Sequence, residues 1–378
     1  MWKIILLGFS IRLAISAWNG FFGPSFGAEY DAETFHLEAI SYSRNFDTDS
    51  LQIGTAYSYF LAVFYRLLAE SLFLGSVLST LAWTASAFYL LKIAKLFSID
   101  QKKIIRLLFL YALLPTSILY TSVTLRESYQ LLFVTIAFYS AIKIIANASI
   151  IYWFSLGASL IASSSLHGAL LAFSVIFFGL TIFMRVAWNR NQISWKRIFL
   201  LSPFIFFLLV AGLTVFLQFS YQIENGLASS IESYQAGGLG TDARAHYKSD
   251  VAISGWQDLI LFIPTSLFQY LFEPMPWKVS SLVDAPLVIE NFLRAWLIFL
   301  AIKNLKKNFH SSSYHIHFFL LLSYTLIELI WSVGTINWGT ASRHHIPSIG
   351  LLLISAFLPI SNRSNGIANK RSTSTRLN

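Results

Sequence analysis

Apolar runs of about 20 residues, the length that crosses a bilayer as a helix, recur along the whole of this sequence. Ten are placed at residues 4–20, 71–94, 104–123, 128–147, 150–166, 168–186, 198–217, 283–302, 314–334 and 345–361. Two further stretches, 55–71 and 259–272, are equally apolar. If both also crossed, Lys92, Lys95, Lys102 and Lys103 would face the side opposite Lys303, Lys306 and Lys307. Basic residues concentrate on the cytoplasmic side of membrane proteins, so both stretches are expected to lie in the interface. The expected fold class is all-α: a polytopic transmembrane helical bundle of about ten spans, with interfacial helices in the outer loops.

Under this topology 18 of the 27 basic residues are cytoplasmic and seven are outside, with Arg12 and Arg294 inside spans. Residues 1–361 then form a single transmembrane domain with outer loops at 19–70, 219–282 and 335–345. Residues 362–378 form a disordered cytoplasmic tail, and both termini are cytoplasmic. The first run is not read as a cleavable signal peptide, because Arg12 interrupts it and no small-x-small site follows. With 56% apolar and 12% charged residues the chain has too little polar surface for a soluble globule. The net charge of +9 therefore reads as an orientation signal toward an anionic leaflet, not as a nucleic-acid footprint. There is no cysteine, which excludes disulfides, thiolate metal sites and a cysteine nucleophile. Outer loops without cysteine suit a bacterial inner (plasma) membrane.

The polar residues that remain crowd onto the outer face. The first loop carries Asp31, Glu33 and His36, and ends in a tyrosine-rich segment where Arg66 and Glu70 are spaced to pair on an interfacial helix. Arg126 and Glu127 stand at the outer end of the third run, and His167 at another outer turn. The second long loop holds glycines at 237, 238 and 240, then Asp242, Arg244, His246 and Lys248. These glycines lack the strand and helix of a phosphate-binding loop. Pro274 and Pro276 break the chain before Trp277 and Lys278, and the last loop ends in Arg343, His344 and His345.

Charge in or beside a membrane costs about 2.5–3.5 kcal/mol per residue on insertion scales, so several such residues on one side point to a shared polar cavity. Each also has a structural reading: a solvated acidic loop for Asp31, a headgroup anchor for Arg343, an ion pair at a turn for Arg126 and Glu127, a belt residue for Trp277. A carboxylate in an enclosed site can act as general base toward a hydroxyl. Asp31, Glu33 and His36 could also ligate a divalent cation, although no spacing here is diagnostic of a metal.

Segment 31–39, followed by the tyrosine-rich segment 54–67, is similar to the first outer loop of the GT-C glycosyltransferases. These are polytopic enzymes that use polyprenyl- or dolichyl-phosphate sugars. Segments 115–127, 272–277 and 339–347 resemble pieces of uncharacterised bacterial members of the group. The resemblance covers most of the chain as a layout and about four short motifs as residues. It implies an inverting transfer from a lipid-linked sugar donor to a glycan or lipid acceptor in envelope or exopolysaccharide synthesis. An acidic residue would be the base and Arg343 would grip the departing phosphate, assisted by His344 and His345. The remaining binding residues expected are Arg126, Glu127, His167, Arg244, Lys248, Trp277 and Lys278. Ala32 separates the two acids where the family most often has them adjacent, which leaves open whether Asp31 or Glu33 is the base. A polysaccharide polymerase or ligase would rely instead on the basic residues of 219–258. A lipid-linked sugar flippase would place charge at mid-membrane, where Arg12, Arg294 and Glu328 are available.

Overall fold

A computed structural model describes residues 1–23, 28–45, 53–146, 149–188, 245, 247, 256–282, 284–309 and 314–359. Among these residues the fold is helical, with no strand. Helices α1 (Trp2–Phe22), α4 (Leu72–Leu96), α7 (Glu127–Ile145), α9 (Gly168–Trp188), α11 (Asp284–Lys307) and α12 (Tyr314–Gly334) provide six apolar stretches long enough to cross a membrane. α8 (Ile151–Leu166) is apolar but shorter, and run 198–217 lies outside the described residues. Large apolar side chains such as Leu6, Phe154, Phe183, Phe292 and Phe299 are exposed, while Arg12, Thr80, Thr121 and Glu328 are buried. That inversion of a soluble protein's pattern marks a surface solvated by lipid.

Two of the expected spans are broken. Run 104–123 divides into α5 (Gln101–Leu113) and α6 (Pro115–Tyr120), because Pro115 has no N–H and its ring cannot follow a helical turn. In a continuous helix the Thr116 N–H would reach the Ala112 carbonyl. Instead it donates to Glu290 Oε1 at 2.8 Å, and the Thr116 hydroxyl donates to Glu290 Oε2 at 2.5 Å. The Ala112 carbonyl accepts from Arg12 Nη1 at 2.9 Å. Arg12 is fully buried; it also donates to Thr121 Oγ1 (2.7 Å) and Ser117 Oγ (3.1 Å) and lies 3.6 Å over the Trp83 ring. Irregular backbone at membrane depth requires internal partners of this kind. Run 345–361 contributes only α14 (Ile349–Phe357), preceded by a turn containing Pro347, and every residue of this helix except Ile349 is buried.

The segments expected to lie in the interface form α3 (Ala56–Leu67), twelve residues long, and α10 (Trp256–Phe272), which contains Pro264. α3 packs against α2 (Glu29–Arg44). The expected Arg66–Glu70 pair does not form, since α3 ends at Leu67 and Glu70 leaves the helical register. Glu70 is held instead by Arg44, at 2.6 and 3.0 Å.

α4, α7, α9 and α11 end in turns carrying Lys95, Lys143, Arg185, and Lys306 with Lys307. Arg185 reaches the Ile145 carbonyl, and Asn304 and Asn308 reach the carbonyls of Ala356 and Pro359. The opposite end of the bundle carries α2, α3 and α13 (Trp338–His344).

Candidate active site

The end of the bundle that carries α2, α3 and α13 brings together residues from four distant parts of the sequence. Asp31 lies in the first turn of α2, where a carboxylate complements the helix dipole. Arg343 lies in the last turn of α13, the favourable end for a cation, and that short helix is fixed by Asn337, whose Oδ1 accepts the Thr340 N–H at 2.7 Å. The Arg343 guanidinium donates from Nη1 to Asp31 Oδ2, forming an ion pair with both side chains partly open to solvent (18% and 37% exposed). Burial acts to lower the Arg343 pKa, but the carboxylates of Glu127 and Asp31 outweigh it and raise it above the ordinary range. Glu33, two residues further along α2, is exposed: a helix turns about 200° in two residues, so the two acids cannot share a face.

Arg126 and Glu127 open α7. Glu127 is buried and its Oε2 has no hydrogen-bond partner; its charge bears on Arg343. Arg126 Nη1 donates to the Leu166 carbonyl at 3.1 Å and its guanidinium lies 5.4 Å from the Phe35 ring centre, tying α7 to α2 and to the turn before α9. His167, in that turn, accepts the Ala169 N–H on Nδ1 at 3.2 Å and packs on Trp331 and His344.

His344 stacks on Trp331, ring centres 3.7 Å apart, and its Nδ1 meets Thr335 Oγ1 at 3.0 Å. The Thr335 hydroxyl donates to the Trp331 carbonyl, so Nδ1 must carry the imidazole proton. Burial pushes the pKa of His344 well below the ordinary histidine value, as does the proximity of His167 and Arg343. His167 is lowered for the same reasons: burial first, then Arg126 and Arg343.

The structure separates the other expected residues from this cluster. His345 faces Glu328 (Nδ1 to Oε2, 2.6 Å) and the Tyr270 carbonyl (Nε2 to O, 3.1 Å), so both ring nitrogens are engaged and neither is free for phosphate. A carbonyl can only accept, so Nε2 carries a proton and one more is shared between Nδ1 and Glu328. Lys278 is bound to Glu273 at 2.7 Å, and Trp277 is 78% exposed beside it. Arg244, His246 and Lys248 lie outside the described residues, but the intervening Ala245 and Tyr247 pair with the start of α13 through Trp338 N–H to Ala245 O and Tyr247 N–H to Ile336 O.

Glu290 and Thr116 are absent from the sequence-derived set. A signal for them existed: Glu290 and Arg294 are one turn apart within a span, and Pro115 marks the gap they face. Among the described residues no cluster of three or more acidic or histidine side chains is arranged to hold a metal ion. No protein-family model, curated protein or solved structure matches this chain.

Proposed function

We propose that this chain is a membrane glycosyltransferase that moves a sugar from a polyprenyl-phosphate donor to a glycan or lipid acceptor on the extracytoplasmic face. The observation that supports this reading is the Asp31–Arg343 pair: a carboxylate and a guanidinium from opposite ends of the chain, partly open at the end of an apolar bundle that carries α2, α3 and α13. In the reaction proposed, Asp31 takes the proton of the acceptor hydroxyl as the acceptor oxygen attacks the anomeric carbon. The bond from that carbon to the phosphate oxygen breaks, and its electron pair leaves with the lipid phosphate. Arg343 stabilises the charge that gathers there, an interaction stronger in the transition state than before it. Phosphate and Asp31 compete for the same guanidinium, so donor binding releases the carboxylate toward the acceptor.

Placement of the basic helix ends in the cytoplasm supports an inner (plasma) membrane location with both termini inside. The split α5–α6 unit, α8, α14 with its flanking turn and run 198–217 would complete ten crossings. Membrane lipid is the surrounding partner, and the charge distribution gives no reason to invoke nucleic acid. The test is single-turnover transfer from a radiolabelled polyprenyl-phosphate sugar in proteoliposomes, wild type against Asp31→Asn. It is paired with analysis of the lipid-linked intermediates in a deletion strain. No transfer by wild type from any lipid-linked sugar would end this reading.

A further inference from the structure

Two imidazoles beside the Asp31–Arg343 pair are held in opposite tautomers. His344 Nδ1 donates to Thr335 Oγ1 at 3.0 Å, because the Thr335 hydroxyl is itself spent on the Trp331 carbonyl. In the neutral ring its Nε2 is therefore a bare acceptor. His167 is fixed the other way: its Nδ1 accepts the Ala169 N–H at 3.2 Å, so its proton sits on Nε2. Neither Nε2 has a hydrogen-bond partner among the described residues.

The two ring centres stand 5.6 Å apart with planes at 70°, and both rings rest on Trp331. They belong to the same cluster as the ion pair. His344 follows Arg343 directly, and Arg126 is bonded to the carbonyl of Leu166, the residue before His167. Asp31, Arg343 and His167 are only partly buried, so this corner is open to a substrate. Burial and the nearby guanidiniums of Arg126 and Arg343 keep both rings neutral.

That combination selects what the pair can receive. Phosphate oxygens only accept, so a phosphate would set its lone pairs against the bare Nε2 of His344. An ammonium only donates; it would meet the His167 N–H and be repelled by both guanidiniums. A hydroxyl donates and accepts at one oxygen. Two nitrogens sharing one hydroxyl at about 2.9 Å each stand about 4–5 Å apart, a spacing that rings at this separation accommodate.

We infer that His167 and His344 together hold one hydroxyl of the transferred sugar, with His167 Nε2–H donating to its oxygen and His344 Nε2 accepting its O–H. The inference rests on the transferase reading and deepens it. The sequence groups both histidines with the phosphate-binding residues, whereas their tautomers make them a reader of sugar configuration. A deoxy sugar leaves one donor and one acceptor unpaired, and sites built to bond a hydroxyl reject such analogues.

The test uses the full chain in nanodiscs, with decaprenyl-phosphate mannose, glucose, galactose and arabinose as probes. In nitrogen-15 spectra of histidine-labelled protein at about pH 7.5, His167 should show a bare Nδ1 and a protonated Nε2, and His344 the reverse. One of these probes should shift both Nε2 signals, and its analogue deoxygenated at one position should not. No acceptor is present, so such a shift assigns the hydroxyl to the donor sugar. In single-turnover transfer that analogue should lose about 10–100-fold in wild type. In a His167→Phe, His344→Phe double variant the loss should shrink to under about threefold. His167→Gln, whose amide donates from near the same place, should keep most of the discrimination. Matching tautomers, a charged ring, no shift from any probe, or equal deoxy losses in wild type and the folded double variant would overturn the assignment. The two readings fail separately: paired Nε2 shifts without transfer from any donor remove the transferase and leave a sugar-binding site. Transfer with equal deoxy losses does the reverse.

Discussion

Arg12 and Glu290 hold the two halves of one missing backbone hydrogen bond: the guanidinium takes the Ala112 carbonyl and the carboxylate takes the Thr116 N–H. Each charge has the sign its half requires. Glu290→Ala should orphan a buried donor and Arg12→Leu a buried acceptor, at about 1–3 kcal/mol for each group left unpaired. Because both variants open the same gap, the double variant should cost less than the sum. Thermal unfolding in detergent measures all three; strictly additive losses would mean that the two residues act on separate features.

The pair at the site makes a different demand. Asp31→Asn should lower transfer about 100-fold or more while donor binding persists, since the amide keeps the shape and loses the proton acceptor. Glu33→Gln, on the exposed face, should change little. Arg343→Lys should lose about tenfold or more although its charge remains, because an ammonium has no fork. Single-turnover transfer reads each case, and an Asp31→Asn protein turning over at the wild-type rate would remove Asp31 from the reaction.

Acid should loosen this end of the molecule. His167 and His344 have pKa values depressed by burial and by neighbouring cations, whereas an unfolded histidine titrates near about 6.5. The unfolded chain therefore binds more protons below that value. Their contribution to stability is complete above about pH 6.5 and is lost as pH falls toward the folded values. Melting temperature should decline between about pH 7.5 and 5, and less steeply in a His167→Asn, His344→Asn double variant. Equal slopes in the two proteins would assign the acid sensitivity elsewhere.

The two helices that start the bundle touch backbone to backbone. A Cβ placed on Gly20 would lie 2.6 Å from Phe73 Cα and 2.9 Å from Phe73 N, and no rotamer can relieve a clash with main chain. Gly20→Ala should cost about 1–3 kcal/mol, visible as a lower melting temperature with α1 and α4 splayed apart. A variant as stable as wild type would show that the helices slide freely.

Topology is checked by single cysteines, since the chain has none of its own. Labels at 102 and 306 should share one face, and labels at 31 and 343 the other. Positions 102 and 306 on opposite faces would refute the ten-crossing arrangement.

The apolar runs were legible because hydropathy depends on composition over a window, and six of the ten correspond to single long helices. The breaks were less so. Pro115 and Pro347 are plain in the sequence, yet a broken helix is stable only if something distant caps it, and nothing local to Thr116 announces Glu290. That Asp31 and not Glu33 meets Arg343 was equally hidden until α2 was seen to be helical across both. Arg66 and Glu70 had the right spacing but not the right helix, since spacing places side chains only where the backbone continues. His345 and His344 are adjacent letters with unrelated surroundings: consecutive residues near a helix end point in directions about 100° apart, and only tertiary packing decides what each meets.

Asp31 and Arg343 are separated by 312 positions. During synthesis the carboxylate emerges early and its guanidinium partner only after α12 has been made and threaded. Every chain that ends between the two positions contains half of the pair, and a ribosome that stalls or a protease that trims the last outer helix leaves Asp31 without its guanidinium. Completion of the chain is thus the final step in assembling this contact, and no truncated molecule can hold a partial version of it.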